Sequence, residues 1–381
     1  MLTSYKSELK PFEELAQSFA LKELAGKIEE HDRYPFGEFF LDVLDKAYEV
    51  GFLGVTLPEG LGGIGGGIDT LCVILDGICR VDASLGGIIF TNTLAQEIML
   101  VAGANALAEK IFPKASSARD FLVACPSFSN PAQEDNLPEA VRSGKGYSVS
   151  GTIDFLVLGG LASRAVIPAR TEKGAPFSFF LIDLDQEGID KSGPVFCLGL
   201  HACPAVDVTI KNAKARLIGK EGEGGIYFQK VSRTLHAAAA AMNAGIMRGS
   251  FDEAFAYAKE RFQGGCEIIN WSEVSMILAN MLVKADVADL CVAQACRSLD
   301  QGSGQFDRHG IAAALHIHEL ACDVVTDGIQ VLGGNGYMKD YGQEKRYRDA
   351  HQVQSLLGVA PMKKIAMIRE LAGLNDTCDE V

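Results

Sequence analysis

The 381-residue chain reads as an α+β multidomain fold: an N-terminal all-α domain, a central small antiparallel β domain of barrel or sandwich type, and a C-terminal four-helix bundle. Three observations predict it. Apolar residues recur at helical spacing as far as Lys114, the pattern alternates from Arg119 to about Leu217, and long helical periodicity returns after Gly224. A single core stops growing at roughly 250–300 residues, so a chain of this length divides. The expected domains are 1–117, 118–222 and 223–381.

In the first domain, Phe12, Leu15, Phe19, Leu24 and Ile28 mark one helical face, and Phe40, Val43, Leu44 and Ala47 continue the pattern. Gly51 to Gly67 contains Pro58 and a run of glycines and reads as a loop. It follows no strand of a βαβ unit, so it is not read as a dinucleotide-binding turn. Asp69 to Arg80 and Leu85 to Val101 are two further buried helices. The middle domain offers short β-rich runs at Tyr147–Gly151, Phe155–Val157, Ala165–Ala169, Phe177–Leu184 and Val206–Ile210, with no long helix between them. An antiparallel barrel or sandwich fits that better than a parallel α/β sheet. Val231–Glu260, Ser272–Ser298 and Ala312–Leu332 are helices joined by glycine-containing turns, the geometry of antiparallel bundle neighbours. A last helix covers Pro361–Leu374, and the polar tail Asn375–Val381 is expected to fray.

Composition narrows the function classes. Hydrophobic residues at 48 % and charged residues at 22 % are those of a folded globular chain, and apolar runs such as Ala237–Ala241 fall short of a membrane span. The N-terminus mixes Lys6, Glu8, Lys10, Glu13 and Glu14 among apolar residues, unlike an export signal, so a cytoplasmic location is expected. Ten cysteines lack any C-x-x-C pair and read as buried reduced thiols, with no metal site. A net charge of -14 disfavours nucleic acid. An anionic ligand would need locally placed cations, helix N-termini and backbone N–H groups.

The most specific local signal is Gln330-Val331-Leu332-Gly333-Gly334-Asn335-Gly336-Tyr337, followed by Arg346-Tyr347-Arg348-Asp349-Ala350. This glycine-rich turn with its R-D-A motif resembles the acyl-CoA dehydrogenase family of flavoproteins. Tyr147–Gly160 resembles the family's flavin-facing strands, and Tyr257–Arg261 with Gly265 resembles the helix end that meets the cofactor's pyrophosphate. The resemblance covers almost the whole chain. It implies FAD between the β domain and the bundle, an acyl-CoA substrate, and a neighbouring subunit that completes the adenine half of the cofactor site. It also implies electron-transfer flavoprotein as a possible partner. Glycines suit close approach to a phosphate, and Arg261 would pair with the pyrophosphate. Gly333–Gly336 taken alone would equally suit a helix C-cap. The implied cofactor contacts are Phe155, Leu156, Val157, Arg261, Gln330, Gly333, Gly334, Asn335 and Gly336, and the implied substrate contacts are Arg233, His236 and Gly358. An acyl pocket lined by Ile88, Ile89, Thr91 and Leu94 is expected from the same layout.

The departures are as informative. Family members take the substrate α-proton with a glutamate seven residues beyond the R-D-A alanine or, in a minority, on a bundle helix; here those positions hold Leu357 and Leu235. Neither accepts a proton. The family's T-E-P-G-A-G-S-D loop is replaced by Cys125-Pro126-Ser127-Phe128-Ser129-Asn130-Pro131-Ala132, and its W-I-T strand triplet by Phe155-Leu156-Val157, which loses the hydroxyl. Ser272 stands for the bundle glutamine and His236 for the arginine of the substrate channel.

Three functional readings follow. A flavin-linked oxidoreductase acting on the CH–CH group of an acyl-CoA would use a relocated base or need none. His236 is the preferred base and Asp154 the second candidate, with Arg233 or Ser232 orienting. The competing reading of His236 is a neutral side chain in a buried alanine-rich helix, and of Asp154 a solvated strand residue. The second functional reading is a non-catalytic or half-site subunit of a hetero-oligomeric complex with a homologous chain. The third is a scaffold that holds FAD or acyl-CoA without turnover. A shared cofactor site makes a homo- or hetero-oligomer the expected state.

Overall fold

A computed structural model describes residues 6–34, 39–144, 146–301 and 306–373. The tail 375–381 lies outside the described residues. The N-terminal helices are α1 (Lys10–Phe19), α2 (Phe39–Glu49), α3 (Ile68–Cys79), α4 (Ala83–Val101) and α5 (Asn105–Ile111). Gly51–Gly67 is the expected loop, tightened by two short 3-10 turns. Asp82 caps α4 by accepting the Ser84 N–H. By length and composition α4 could cross a membrane, which overturns the expectation that no stretch reaches that size. It is a core helix here: 83 % of its apolar window is buried inside the protein.

The middle of the chain forms one sheet from β1 (Val123–Ala124), β2 (Glu139–Ser143), β3 (Gly146–Val157), β4 (Arg164–Ala169), β5 (Ser178–Asp183), β6 (Ile189–Pro194) and β7 (Ala205–Ile218). Its order is β1-β4-β5-β7-β3-β2, with β6 also on β7. Every pair is antiparallel except β1 with β4, so the expected antiparallel sheet is a mixed one. Single bridges Cys125–Val157 and Glu139–Arg170 draw its edges round toward a barrel. β2 and β6 were not legible in the sequence because their residues are mostly polar and exposed. The two runs expected at Tyr147–Gly151 and Phe155–Val157 are one strand, kinked by register shifts between Val149 and Gly151 and between Ile153 and Leu156.

The third part holds α6 (Gly224–Glu260), α7 (Ser272–Asp300), α8 (Phe306–Leu332), α9 (Gln343–Val353) and α10 (Ala360–Leu371), with a hairpin at Phe262–Gln263 and Cys266–Glu267. The alanine run of α6 is buried throughout, which lets α3, α7 and α8 approach its backbone closely. One continuous apolar core runs through all three parts.

Buried charge bolts these parts together. Lys345 Nζ lies 2.8 Å from Asp82 Oδ1 and 2.5 Å from Asp349 Oδ2, with all three side chains buried. Asp349 also accepts the Leu200 N–H, 2.7 Å away. Arg348 grips Asp32 and Glu344, and His201 Nδ1–H donates to Asp32, 3.1 Å from its Oδ1. Although burial pushes Asp82 upward, the Lys345 ammonium and its other partners hold it well below the ordinary carboxylate range. The R-D-A motif therefore spends its arginine and aspartate on joining the N-terminal segment, the β domain and α9.

Candidate functional site

Two concave sites collect the residues singled out by sequence. The first is a cleft of about 620 Å³ between the end of α6, the start of α7 and the turn after α8. It is lined by Arg261, Gln330, Gly333, Gly334 and Asn335, together with Trp271. Gly333 has φ +57°, and a side chain at Gly333 or Gly334 would meet nothing within 4 Å, so this turn presents open backbone. The Asn335 amide donates to the Tyr257 and Tyr341 hydroxyls at 2.9 and 3.3 Å, which fixes the turn. Trp271 lies over Gly264 and donates to the Gln263 carbonyl. Gly336 is different: it is buried, and a Cβ there would stand 2.6 Å from the Ile329 carbonyl oxygen. It packs the turn onto α8 and does not line the cleft.

The second site is a cavity of about 880 Å³ between α6, α10 and the loops 130–133 and 174–177. Arg233, His236 and Gly358 all line it, alongside Leu357. Leu235 points the other way, into the core, with no exposure. His236 has no hydrogen-bond partner on Nδ1, and burial, with a smaller push from Lys363, lowers its pKa to about 3. A neutral imidazole that holds a proton so weakly is a poor acceptor for a substrate α-proton. Asp154 is exposed on β3 and does not line the cavity, so the two candidate bases are not brought together. Ile88, Ile89 and Leu94 are core residues of α4 rather than cavity lining.

Leu357, where the resemblance would place the family's glutamate, is held by the chain itself. Leu357 is 3 % exposed at φ +62°, and its N–H donates to the Ser127 carbonyl at 2.8 Å. Ser127 spends its hydroxyl on Thr91, 2.8 Å away. The next residue, Phe128, packs edge-on against Phe155 with ring centroids 5.5 Å apart. Val157 is buried and its carbonyl accepts the Cys125 N–H. Leu156 is a core residue. Phe155, Leu156 and Val157 line neither site described above.

Sequence reasoning missed the cations of the second site. Arg170, Arg308 and Lys363 also line it, and Arg233 is paired with Glu370 at 2.5 Å. No signal separates these residues from ordinary solvated arginines and lysines, because they come from four distant segments.

Family models for the acyl-CoA dehydrogenase N-terminal domain and C-terminal domain match residues 6–119 and 227–371. The caffeyl-CoA reductase–Etf complex subunit CarC of Acetobacterium woodii is 27 % identical over 95 % of this chain and 98 % of that one. The 3-(aryl)acrylate reductase of Clostridium sporogenes is 27 % identical over 94 % and 96 %. A chain from the solved structure of the electron transferring flavoprotein of Acidaminococcus fermentans superposes with a TM-score of 0.87 at 26 % identity, covering 95 % and 97 %. The chain belongs to the acyl-CoA dehydrogenase family, whose flavoenzymes use FAD and act on CoA thioesters. Its relatives include dehydrogenases, reductases and a subunit of a complex with electron-transfer flavoprotein.

The residues present fit FAD unevenly. The first cleft offers what a pyrophosphate and adenine need: an exposed guanidinium, open glycine backbone and an aromatic face. The strand and loop expected to meet the isoalloxazine do not fit it, since the Ser127 hydroxyl is engaged by Thr91, its carbonyl by the Leu357 N–H, and the Phe128 ring by Phe155.

Proposed function

We propose that this chain is the half-site subunit of a hetero-oligomeric acyl-CoA dehydrogenase complex. It offers the Arg261 and glycine-turn cleft to FAD held mainly by a homologous partner, and it performs no α-proton abstraction at its own Leu357. The observation that carries this reading is the Leu357 N–H bonded to the Ser127 carbonyl beneath a buried leucine side chain. A position that serves a substrate needs its backbone donor and its acid free; here one is engaged and the other replaced. The preserved cleft supports the same reading, because in family geometry that turn serves a neighbouring subunit.

A self-sufficient enzyme with its base at His236 has one observation in its favour: His236 lines the same cavity as Leu357. The low basicity that burial imposes on this imidazole weighs against it. The visible spectrum of the purified chain, alone and co-expressed with a homologous chain, separates the two. The half-site reading expects no flavin band from the lone chain and a yellow mixed complex that bleaches with an acyl-CoA. A lone chain that is yellow and bleaches would end it, and His236→Ala would then decide the base.

A further inference from the structure

Lys363 is the least accounted-for group in the second site. It sits in the first turn of α10, is 5 % exposed, and lines the cavity two turns of chain beyond Leu357 and Gly358. Its ammonium donates to the Leu356 carbonyl at 2.6 Å and the Gln354 carbonyl at 3.3 Å. No ion pair to a carboxylate forms on it among the described residues. A buried cation is costly unless an anion or a full set of acceptors surrounds it, and an ammonium has three donors to satisfy. Two are satisfied here.

Other features of the same wall have the same sign. The N-terminus of the 12-residue α10 has no side-chain cap, so its first N–H groups and its dipole favour negative charge beside Gly358. Among the described residues the cavity is lined by Arg170, Arg233, Arg308 and Lys363, with Glu370 the one carboxylate in the lining, in a chain whose net charge is -14. The local balance is thus opposite to that of the molecule.

We infer that this cavity binds a CoA thioester whose acyl group carries a carboxylate, with Lys363 as its counter-ion. The inference rests on reading the cavity as the CoA-thioester site of this chain. It concerns binding alone and requires no chemistry at Leu357. A carboxylate oxygen would complete the third donor of Lys363, and a neutral acyl chain of the same length would leave the ammonium unpaired. An anionic acyl group is therefore selected by what its neutral counterpart leaves unsatisfied.

The test is calorimetric titration of the purified chain with succinyl-, glutaryl- and adipyl-CoA, each compared with its neutral counterpart butyryl-, valeryl- or hexanoyl-CoA. At least one acidic thioester is expected to bind about tenfold or more tightly than its neutral partner, the size of one charge-assisted contact. Lys363→Met should abolish that preference while the neutral thioesters bind as before, and Lys363→Gln should restore part of it. Equal binding of acidic and neutral thioesters at every length would overturn the inference, as would a preference that survives in Lys363→Met. Failure of all six to bind would overturn the CoA reading of the cavity itself, and with it the inference. The comparison on the unmodified chain stands even where a variant fails to fold.

Discussion

Lys363 and Lys345 are both buried lysines, and their surroundings give them opposite consequences. Burial lowers Lys363 from its ordinary value to about 8. Between about pH 8 and the unfolded value near 10.5 the unfolded chain binds the extra proton, so this group makes stability rise with pH across that window. At pH 7 the burial costs on the order of 3 kcal/mol. Lys363→Met should therefore raise the midpoint of urea unfolding at pH 7 and flatten the slope of stability between pH 8 and 10. Lys345 answers the other way, since burial is outweighed by Asp349 and Asp82, which raise its pKa. Removing it leaves two carboxylates buried without a cation. Lys345→Met is expected to cost about 3–5 kcal/mol, and the triple change Asp82→Asn, Lys345→Met, Asp349→Asn should cost less than Lys345→Met alone. A triple-change loss equal to the sum of the three single losses in the same unfolding assay would show the three groups to be energetically independent.

At the level of elements, the turn after α8 separates a binding role from a packing one. Arg261 is exposed in the cleft, so Arg261→Ala should leave the melting temperature of the chain nearly unchanged, within the ±0.5 kcal/mol typical of surface sites, and weaken FAD retention by the mixed complex roughly tenfold. Gly336→Ala drives a methyl against the Ile329 carbonyl and should destabilise the turn by about 1–3 kcal/mol. The loop after β1 makes a second case. Leu357→Glu puts an acid at the family's position but leaves the Ser127 carbonyl on its N–H and Phe128 on Phe155. No acyl-CoA-dependent flavin bleaching by the lone chain is expected from that change. Bleaching would mean that the missing acid alone silences the site.

At the scale of the molecule, the exposed apolar residues of the C-terminal part argue for association. Met276, Val283 and Leu290 lie seven residues apart on α7 and are 66 %, 61 % and 48 % exposed. That spacing sets them along one seam, and such a row of large apolar groups on a long helix marks a contact surface. Light scattering should give a mass well above the 40.7 kDa of one chain. Changing all three to Glu should return the monomer mass and, with the mixed complex, lose bound FAD. A mixed complex that forms and keeps its FAD despite the triple change would place the seam outside any subunit contact.

What the sequence determined by itself was the succession of helical, β-rich and helical parts, because hydrophobic periodicity is local and survives without knowledge of packing. It also showed leucines at 357 and 235 and a valine at 157, where the family resemblance led us to expect acids and a hydroxyl. The tertiary structure decided which of the named residues meet. Arg233, His236 and Gly358 share one cavity, while Arg261 and the glycine turn share another. Gly336 and the R-D-A charges serve packing, as only their neighbours reveal. Lys363 was invisible beforehand for the same reason. A lysine on a helix is usually solvated, and its meaning here comes from backbone carbonyls and a cavity wall assembled from distant segments of the chain.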